Sequence, residues 1–393
     1  MVHSATRTLI LDNGGNSIKI GWSTDTEPRV IPNCIVKAKS ERKRVFVGEE
    51  LSECVDRSSL YLLLPAQRGY LVNWDVQQQI WERSLKDEPH QGARIVLTHP
   101  NCLVPAIKDE SCEILFEMFG VASIFKSSTS GLIGQANRSS RCCLVVDSGF
   151  SFTHITPFVD GKIIQAGVIR IDVGGKVLTN QLKEWISYRE LNVAEETAVM
   201  GECKEDGCFV SLQYDKDMMT TRIRGEGNTI AREYVLPDFT TRHRGVLRTP
   251  TRNPNEEVQK ILLNVERFAL PELLFHPSDM GIDQKGVAEC VVESVNRCPP
   301  NLRLLLLKNI YLVGGCAKFA NFTERLLNDV RSLVDGAAEV NVMEDEVDAM
   351  TRGCKKEYEE DGEEACRRAF LHFHPATYAA GRERRSKGEV TIN

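Results

Sequence analysis

No apolar run in this chain approaches the roughly 20 residues that a membrane-spanning helix requires, and the opening MVHSATRTLILDNGG holds only a short apolar stretch, too short for the core of a secretion signal. An excess of positive charge is also missing: 49 lysines and arginines face 55 aspartates and glutamates, a net charge of −6 with a pI of about 5.9. The molecule as a whole therefore lacks the field that holds a phosphate backbone without sequence preference, and any contact with DNA must come from local patches. A disulfide framework is excluded on similar grounds. The 13 cysteines are an odd number and form no C-x-x-C pair, so reduced thiols and a cytosolic or nuclear compartment are expected, with the N-x-S/T matches at Asn137 and Asn321 incidental. What the chain does have is 393 residues at 42% hydrophobic, enough to bury a large core in two domains or more.

Along the chain, Leu9–Asp12 and Ile18–Ser23 flank Gly14, Gly15 and Asn16, the pattern of a β-hairpin with a permissive turn. The same pattern recurs where the apolar CCLVVD ending at Asp147 runs into Ser148 and Gly149, followed by alternation over Phe152–Val159 and a turn at Gly161. Two copies of strand, Asp-x-Gly and hairpin predict two related halves facing one another. Apolar spacing of three and four predicts helices over 75–85, 108–119, 175–185, 192–210, 258–270, 286–296 and 322–333. Strands are expected over 93–98 and over 308–313, the latter running into Gly314 and Gly315. Charge density rises after Glu339, and the tail from Arg382 reads as disordered.

A hairpin with an aspartate at its entrance and glycines in its turn offers converging backbone N–H groups to phosphate oxygens, with no side chain in the way. On this reading Asp12 and Asp147 hold a hydrated Mg²⁺ through water, and Lys19 adds a cation. One Asp-x-Gly says little, because strand-to-turn junctions use these residues everywhere. Two at matching places, with a third glycine pair after a strand, say much more.

These segments resemble the actin family. LDNGGNSIKIG (11–21) is similar to its first phosphate hairpin, VVDSGFSFTHITPF (145–158) to its second, and NIYLVGGCAKFANFTERL (309–326) to its adenosine-contacting strand and helix. Further similar stretches are 72–85, 169–182, 204–212 and 266–282, so the resemblance runs from about residue 8 to about residue 335. YLLLPAQRGYLVNWDVQQQIW (61–81), RVIPNC (29–34) and YVLPDF (234–239) resemble the nuclear actin-related branch more than conventional actin. The resemblance implies an α/β fold of two lobes, each a mixed five-stranded sheet flanked by helices. Residues 1–140 and 341–393 would form the first lobe, with 33–69 as its small subdomain, and 141–340 the second, with 181–254 as its small subdomain. It implies ATP or ADP with Mg²⁺ as a ligand, held by Asp12, Gly14, Gly15, Asn16, Lys19, Asp147, Ser148, Gly149, Lys204, Glu205, Gly314 and Gly315, with Asp12 and Asp147 on the metal. It also implies a subunit of a Swr/SRCAP-type chromatin remodeller that exchanges a variant histone, located in the nucleus and also in the cytoplasm. Its partners would be the remodeller motor ATPase and other subunits, with nucleosomal or linker DNA at basic loops and no membrane.

Departures from the family pattern bear on catalysis. In-line attack on a phosphorus needs a positioned water, and aligning 113–128 with the family's helix places Ala122 where its water-ordering glutamine stands. Phe150 and Ser151 replace an aspartate and a glycine in the second turn, and Phe150 must turn into the core or partly fill the site. Gly15 and Asn16 replace a serine and a glycine in the first turn, and Gly201 replaces an arginine. His154 is expected to be a hydrogen-bonded structural histidine. Efficient hydrolysis is not expected, and the short basic KAKSERKRVF (37–46) speaks against filaments. The rival readings are a cytoskeletal-type ATPase and a small-molecule kinase on the same superfold, for which no catalytic aspartate is identifiable. The arginine-rich stretch 241–252 and the tail 382–387 read as solvated segments, or else as contacts for an acidic partner. In the C-terminal region a helix-like 350–370 precedes PATYAAG (375–381), the reverse of the family's order.

Overall fold

The structure, a computed structural model, describes residues 8–39, 44–101, 104–136, 141–250, 258–336 and 338–344. The expectations about 350–370, 375–381, Asn137, Arg252 and the tail lie outside the described residues. Among the described residues the chain divides into two compact units, one built from 8–34 and 64–136, the other from 35–63 and from 141 onward.

In the first unit, β1 (Thr8–Asn13) is buried almost throughout, while β2 (Ser17–Trp22) alternates buried and half-buried side chains, so β1 lies central and β2 flanks it. β3 (Arg29–Pro32) pairs antiparallel beyond β2. The chain then leaves to form the three short strands β4 (Ile35–Lys37), β5 (Val45–Val47) and β6 (Tyr61–Leu63), a small sheet of order β5-β4-β6 that groups with the second unit. It returns through a two-stranded ribbon, β7 (Ala66–Gln67) and β8 (Tyr70–Leu71), to α1 (Trp74–Leu85), whose N-terminus is capped by Asn73 accepting from the Val76 N–H. β9 (Arg94–His99), α2 (Pro105–Glu117), β10 (Ser123–Ser128) and α3 (Thr129–Ala136) complete the unit. Its sheet runs β10-β9-β1-β2-β3, with β10, β9 and β1 parallel and the two hairpin partners antiparallel.

The second unit repeats this plan. β11 (Cys142–Ser148) and β12 (Thr153–Val159) form the hairpin, and the edge beyond β12 is taken by β13 (Lys162–Ile163) and β14 (Ile169–Ile171), two pieces separated by a short 3₁₀ turn. α4 (Gly175–Arg189), α5 (Thr197–Gly207) and α6 (Tyr214–Thr221) follow, then β15 (Arg232–Val235), β16 (Val246–Arg248) and β17 (Lys260–Leu263) in a separate sheet of order β16-β15-β17. α7 (Glu266–Glu272), α8 (Val287–Asn296) and α9 (Arg303–Lys308) lead to β18 (Ile310–Val313), α10 (Phe322–Leu333) and β19 (Val342–Glu344). The main sheet runs β13-β12-β11-β18-β19, again with three parallel strands and an antiparallel hairpin. Five strand positions result, six strands by count because one edge is split. Order and sense match the first unit position for position. The core of this unit joins Leu144, Val146 and Leu312 of the sheet to Leu178 and Leu182 of α4, Val291 of α8 and Leu326 of α10, all buried.

Two helical expectations do not hold. Residues 260–263 form β17 rather than part of a helix, because Lys260–Leu263 finds β15 as a hydrogen-bonding partner and the helix begins only at Glu266. Residues 192–196 stay outside α5, where Glu195 and Glu196 direct their carboxylates to Lys39 and Ser59. Ala122 is exposed on the turn between α2 and β10, its N–H donating to the Ala93 carbonyl at 2.8 Å, and is not on a helix. It therefore says nothing about a water-ordering residue.

Candidate functional site

Both candidate turns lie at the carboxyl ends of central strands, where open α/β sheets place ligands because strand direction changes there. Asp12 pairs with Lys19 across the first hairpin as Asp147 pairs with His154 across the second, and each aspartate is the penultimate residue of its strand.

In the first unit, Asp12 is 7% exposed. Burying a carboxylate is tolerable only with partners, and Asp12 has two: the Thr98 hydroxyl donates at 2.6 Å, and the Lys19 ammonium stands at 3.4 Å. Thr98 in turn accepts from the Asn13 N–H at 3.3 Å. Side-chain amides then hold the turn from below. Asn33, fully buried, donates to the Gly14 carbonyl at 2.7 Å and exchanges bonds with Gln77, its own N–H donates to the Asn16 carbonyl, and Gln77 also accepts from Asn13 at 3.1 Å. The Trp81 indole donates to Asn13 at 3.2 Å. At Gly14 an added Cβ would lie 2.7 Å from the Ser17 carbonyl oxygen, so the tight turn demands glycine. Asp12, Gly14, Gly15, Asn16 and Lys19 are thus brought together as expected. Thr98, Gln77, Asn33 and Trp81, which no motif announces, hold them.

In the second unit the turn is drawn onto the N-terminus of α4. Gly175 N–H donates to the Gly149 carbonyl at 3.0 Å and Lys176 N–H to the Phe150 carbonyl at 2.8 Å, so two donors of a helix start, the usual anion-binding groups, are already used by protein. The Cys316 thiol also donates to the Gly149 carbonyl at 3.4 Å. Burial pushes that thiol up to about 11, which keeps it protonated. Lys204, 6% exposed, donates to the Gly175 carbonyl at 3.1 Å and to the Thr179 hydroxyl at 2.9 Å. Gly314 has φ +98° and lies against Ser148, where an added Cβ would be 2.3 Å from the carbonyl oxygen. Gly315 has no atom within 4 Å of such a Cβ, and neither has Gly201. Ser148, Gly149, Gly314 and Gly315 therefore form one cluster, with Lys204 joined to it through Gly175. Glu205, on the same helix, is exposed.

Phe150 is half-buried and does not turn fully into the core. His154 departs from its expected role. It is 2% exposed and its Nε2 has no hydrogen-bond partner, so packing holds it rather than a bond: the Phe152 ring lies 4.2 Å away, with the Arg170 guanidinium 4.6 Å from that ring's centre on its own account. Burial first, and Arg170 second, push His154 down to about 4, so it is neutral near pH 7.

The bare backbone at Gly14, Gly149 and Gly315 fits phosphate oxygens approaching each turn. The first turn has Lys19 beside its backbone, and the second presents the main-chain groups of Ser148, Gly149 and Gly315. Among the described residues no group of three His, Cys, Asp or Glu side chains is placed to cage a metal. The described arginines of the 241–252 stretch are engaged locally: Arg242 with Asp238, Arg244 with Asp206 at 2.7 Å, and Arg248 with Glu233 at 3.1 Å.

Comparison with known proteins agrees with this geometry. The family model described as Actin matches residues 3–353. An actin-like protein of Caenorhabditis elegans is 49% identical over 349 residues, covering 88% of this chain and 84% of its own length. Actin-related protein 6 of Drosophila melanogaster is 42% identical, covering 86% of this chain and 89% of its own, and actin-related protein 6 of Arabidopsis thaliana is 34% identical, covering 93% and 99%.

Proposed function

The chain belongs to the actin family, and from that premise we propose that it is a structural subunit of a Swr/SRCAP-type chromatin remodeller, the class that exchanges a variant histone into nucleosomes. Its likeness over most of its length to proteins named actin-related protein 6 supports this reading. In that role it acts as a rigid adaptor whose loops hold the motor ATPase and other subunits, in the nucleus, while ATP-driven work belongs to the motor. Rigidity matters because distant surface loops keep fixed positions only on a well-packed frame.

The observation that carries the non-catalytic part is the second turn. Its carbonyls occupy the amide donors at the start of α4, and Phe150 stands where the family has a carboxylate. The only histidine there is neutral and packed beneath an aromatic ring. ATP or ADP with Mg²⁺ is the ligand that the turns suit, with Asp12, Lys19 and the backbone at Gly14 as the groups of the first turn and Asp147 with the backbone at Gly149 and Gly315 as those of the second. Nucleosomal or linker DNA as a partner rests on local basic segments alone, since net charge is negative. The test is affinity purification of the full chain from nuclear extract with identification of stable partners. A remodeller motor ATPase is expected among them, and a partner set of cytoskeletal proteins without one would overturn the reading.

A further inference from the structure

Of the 15 prolines in the sequence, two follow a hydroxyl residue, at Thr156-Pro157 and Thr249-Pro250. The structure separates them. Thr156 is 0% exposed inside β12, whereas Thr249 and Pro250 are both exposed just past β16, which ends at Arg248. Pro250 has no N–H to continue a ladder and holds the residue before it extended, the form in which an acceptor segment enters a protein kinase's cleft. The Thr249 hydroxyl makes no hydrogen bond among the described residues. What faces it is positive. β15 and β16 pair Tyr234 with Leu247 and Glu233 with Arg248, so the same register carried one residue further sets Arg232 opposite Thr249. Alternation puts these two on the face of Tyr234 and Leu247, away from Glu233. On the Glu233 face charge is already balanced, since that carboxylate takes both Arg248 and Lys260. Arg232 has no such partner: among the described residues its guanidinium donates only to the Thr229 and Ala231 carbonyls, at 2.9 and 2.8 Å. Arg267 likewise donates to the carbonyls of Gly207 and Ile230, and burial first, then Arg232, pushes its pKa down. Two neighbouring guanidiniums thus lack a carboxylate among the described residues.

We propose that Thr249 is a phosphorylation site for a proline-directed protein kinase, and that its phosphate is received across the strand pair by Arg232. In the transfer the Thr249 hydroxyl oxygen bonds to the γ-phosphorus of the kinase's ATP, the bond from that phosphorus to the β-phosphate's bridging oxygen breaks, ADP leaves, and the hydroxyl proton passes to the kinase's catalytic carboxylate. A phosphothreonine carries about −1.5 to −2 charge near pH 7 and three acceptor oxygens. A guanidinium is the cation whose planar fork fits those oxygens two at a time. The near end of the arginine-rich loop is already fixed, because Asp238 accepts from the N–H groups of Thr240, Thr241 and Arg242. Phosphate on Thr249 fixes the far end, since its pair with Arg232 extends the β15–β16 contact past the last ladder position. Nothing in this depends on the remodeller reading.

The experiment incubates the purified full chain with Mg-ATP and a proline-directed kinase of the cyclin-dependent class, and maps the phosphate by mass spectrometry. Phosphate is expected on Thr249 and not on Thr156. Thr249→Ala should lower incorporation on the order of tenfold, and Thr249→Ser should restore it. A ³¹P NMR titration of the phosphorylated chain then reads the acceptor. An isolated phosphothreonine loses its second proton near pH 6; a facing guanidinium favours the dianion and should lower that midpoint by roughly half a unit or more. Arg232→Gln should return the midpoint toward that of the isolated group, and Arg232→Lys, which keeps the charge, should fall between. Absence of phosphate from Thr249, or incorporation unchanged in Thr249→Ala, overturns the site. Equal midpoints in the unaltered and Arg232→Gln proteins overturn the role of Arg232.

Discussion

Gly314 and Gly315 are adjacent in sequence and opposite in what they tolerate, and this contrast gives the sharpest test of the second turn. Gly314 has φ +98° and ψ 167°, a region essentially reserved for glycine that costs about 1–3 kcal/mol for another residue. An alanine methyl there would lie 2.3 Å from the Ser148 carbonyl oxygen and 3.0 Å from an Asp147 carboxylate oxygen. Main chain cannot swing aside like a flexible side chain, so about 1–3 kcal/mol of overpacking adds to the strain. Gly314→Ala is thus expected to destabilise the second unit by on the order of 4 kcal/mol. At Gly315 an added Cβ meets nothing within 4 Å and φ is not in the left-handed range, so Gly315→Ala should change stability by less than about 1 kcal/mol. For a unit of this size about 4 kcal/mol corresponds to roughly 8–16 °C in melting temperature. Thermal unfolding followed by circular dichroism, with both variants beside the unaltered chain, reads the difference directly. Melting of Gly314→Ala within about 2 °C of Gly315→Ala would refute the tight packing of β18 onto Ser148.

Other outcomes follow from buried polar groups. Arg325→Ala takes from Glu272, 4% exposed, both guanidinium nitrogens at 2.8 and 3.1 Å and leaves it His276 at 3.4 Å; the loss should be about 3 kcal/mol by chemical denaturation, and smaller in the Arg325→Met, Glu272→Leu double variant. Asn33→Leu leaves the Gly14 carbonyl and Gln77 without a fully buried partner, so the first unit should lose about 3 kcal/mol, read as faster exchange at β1 and β2. His154 has a folded value near 4 against about 6.5 unfolded. Its stabilising contribution is therefore complete above pH 6.5 and is lost as pH falls toward 4, because the unfolded chain takes up the proton first. Urea midpoints measured between pH 7 and 4 should fall less steeply in His154→Gln.

The hairpins were legible in the sequence because alternation, an aspartate and turn glycines coincide there, and both emerge with equal register. Phe322–Leu333 was legible for the related reason that a helix with one buried stripe needs no distant partner to be recognised. Lys260–Leu263 was not, since KILL fits either period and only the presence of β15 decides. The supports of the first turn were hidden more deeply. Thr98, Gln77 and Asn33 are common polar residues, and their bonds to Asp12, Asn13 and Gly14 span 19 to 86 positions, so no local pattern carries them. The strand-end rule for α/β sheets was the available signal for Thr98. His154 was read as hydrogen-bonded because a buried imidazole usually is; here aromatic packing took the place of the bond.

The proposed role keeps the phosphate turns as scaffold and assigns no chemistry to them. Steady-state phosphate release from Mg-ATP by the purified full chain, beside an Asp147→Asn variant, measures this most directly. The expected result is release at the background of the assay and equal in the two proteins. Sustained turnover by the unaltered chain that Asp147→Asn abolishes would contradict it.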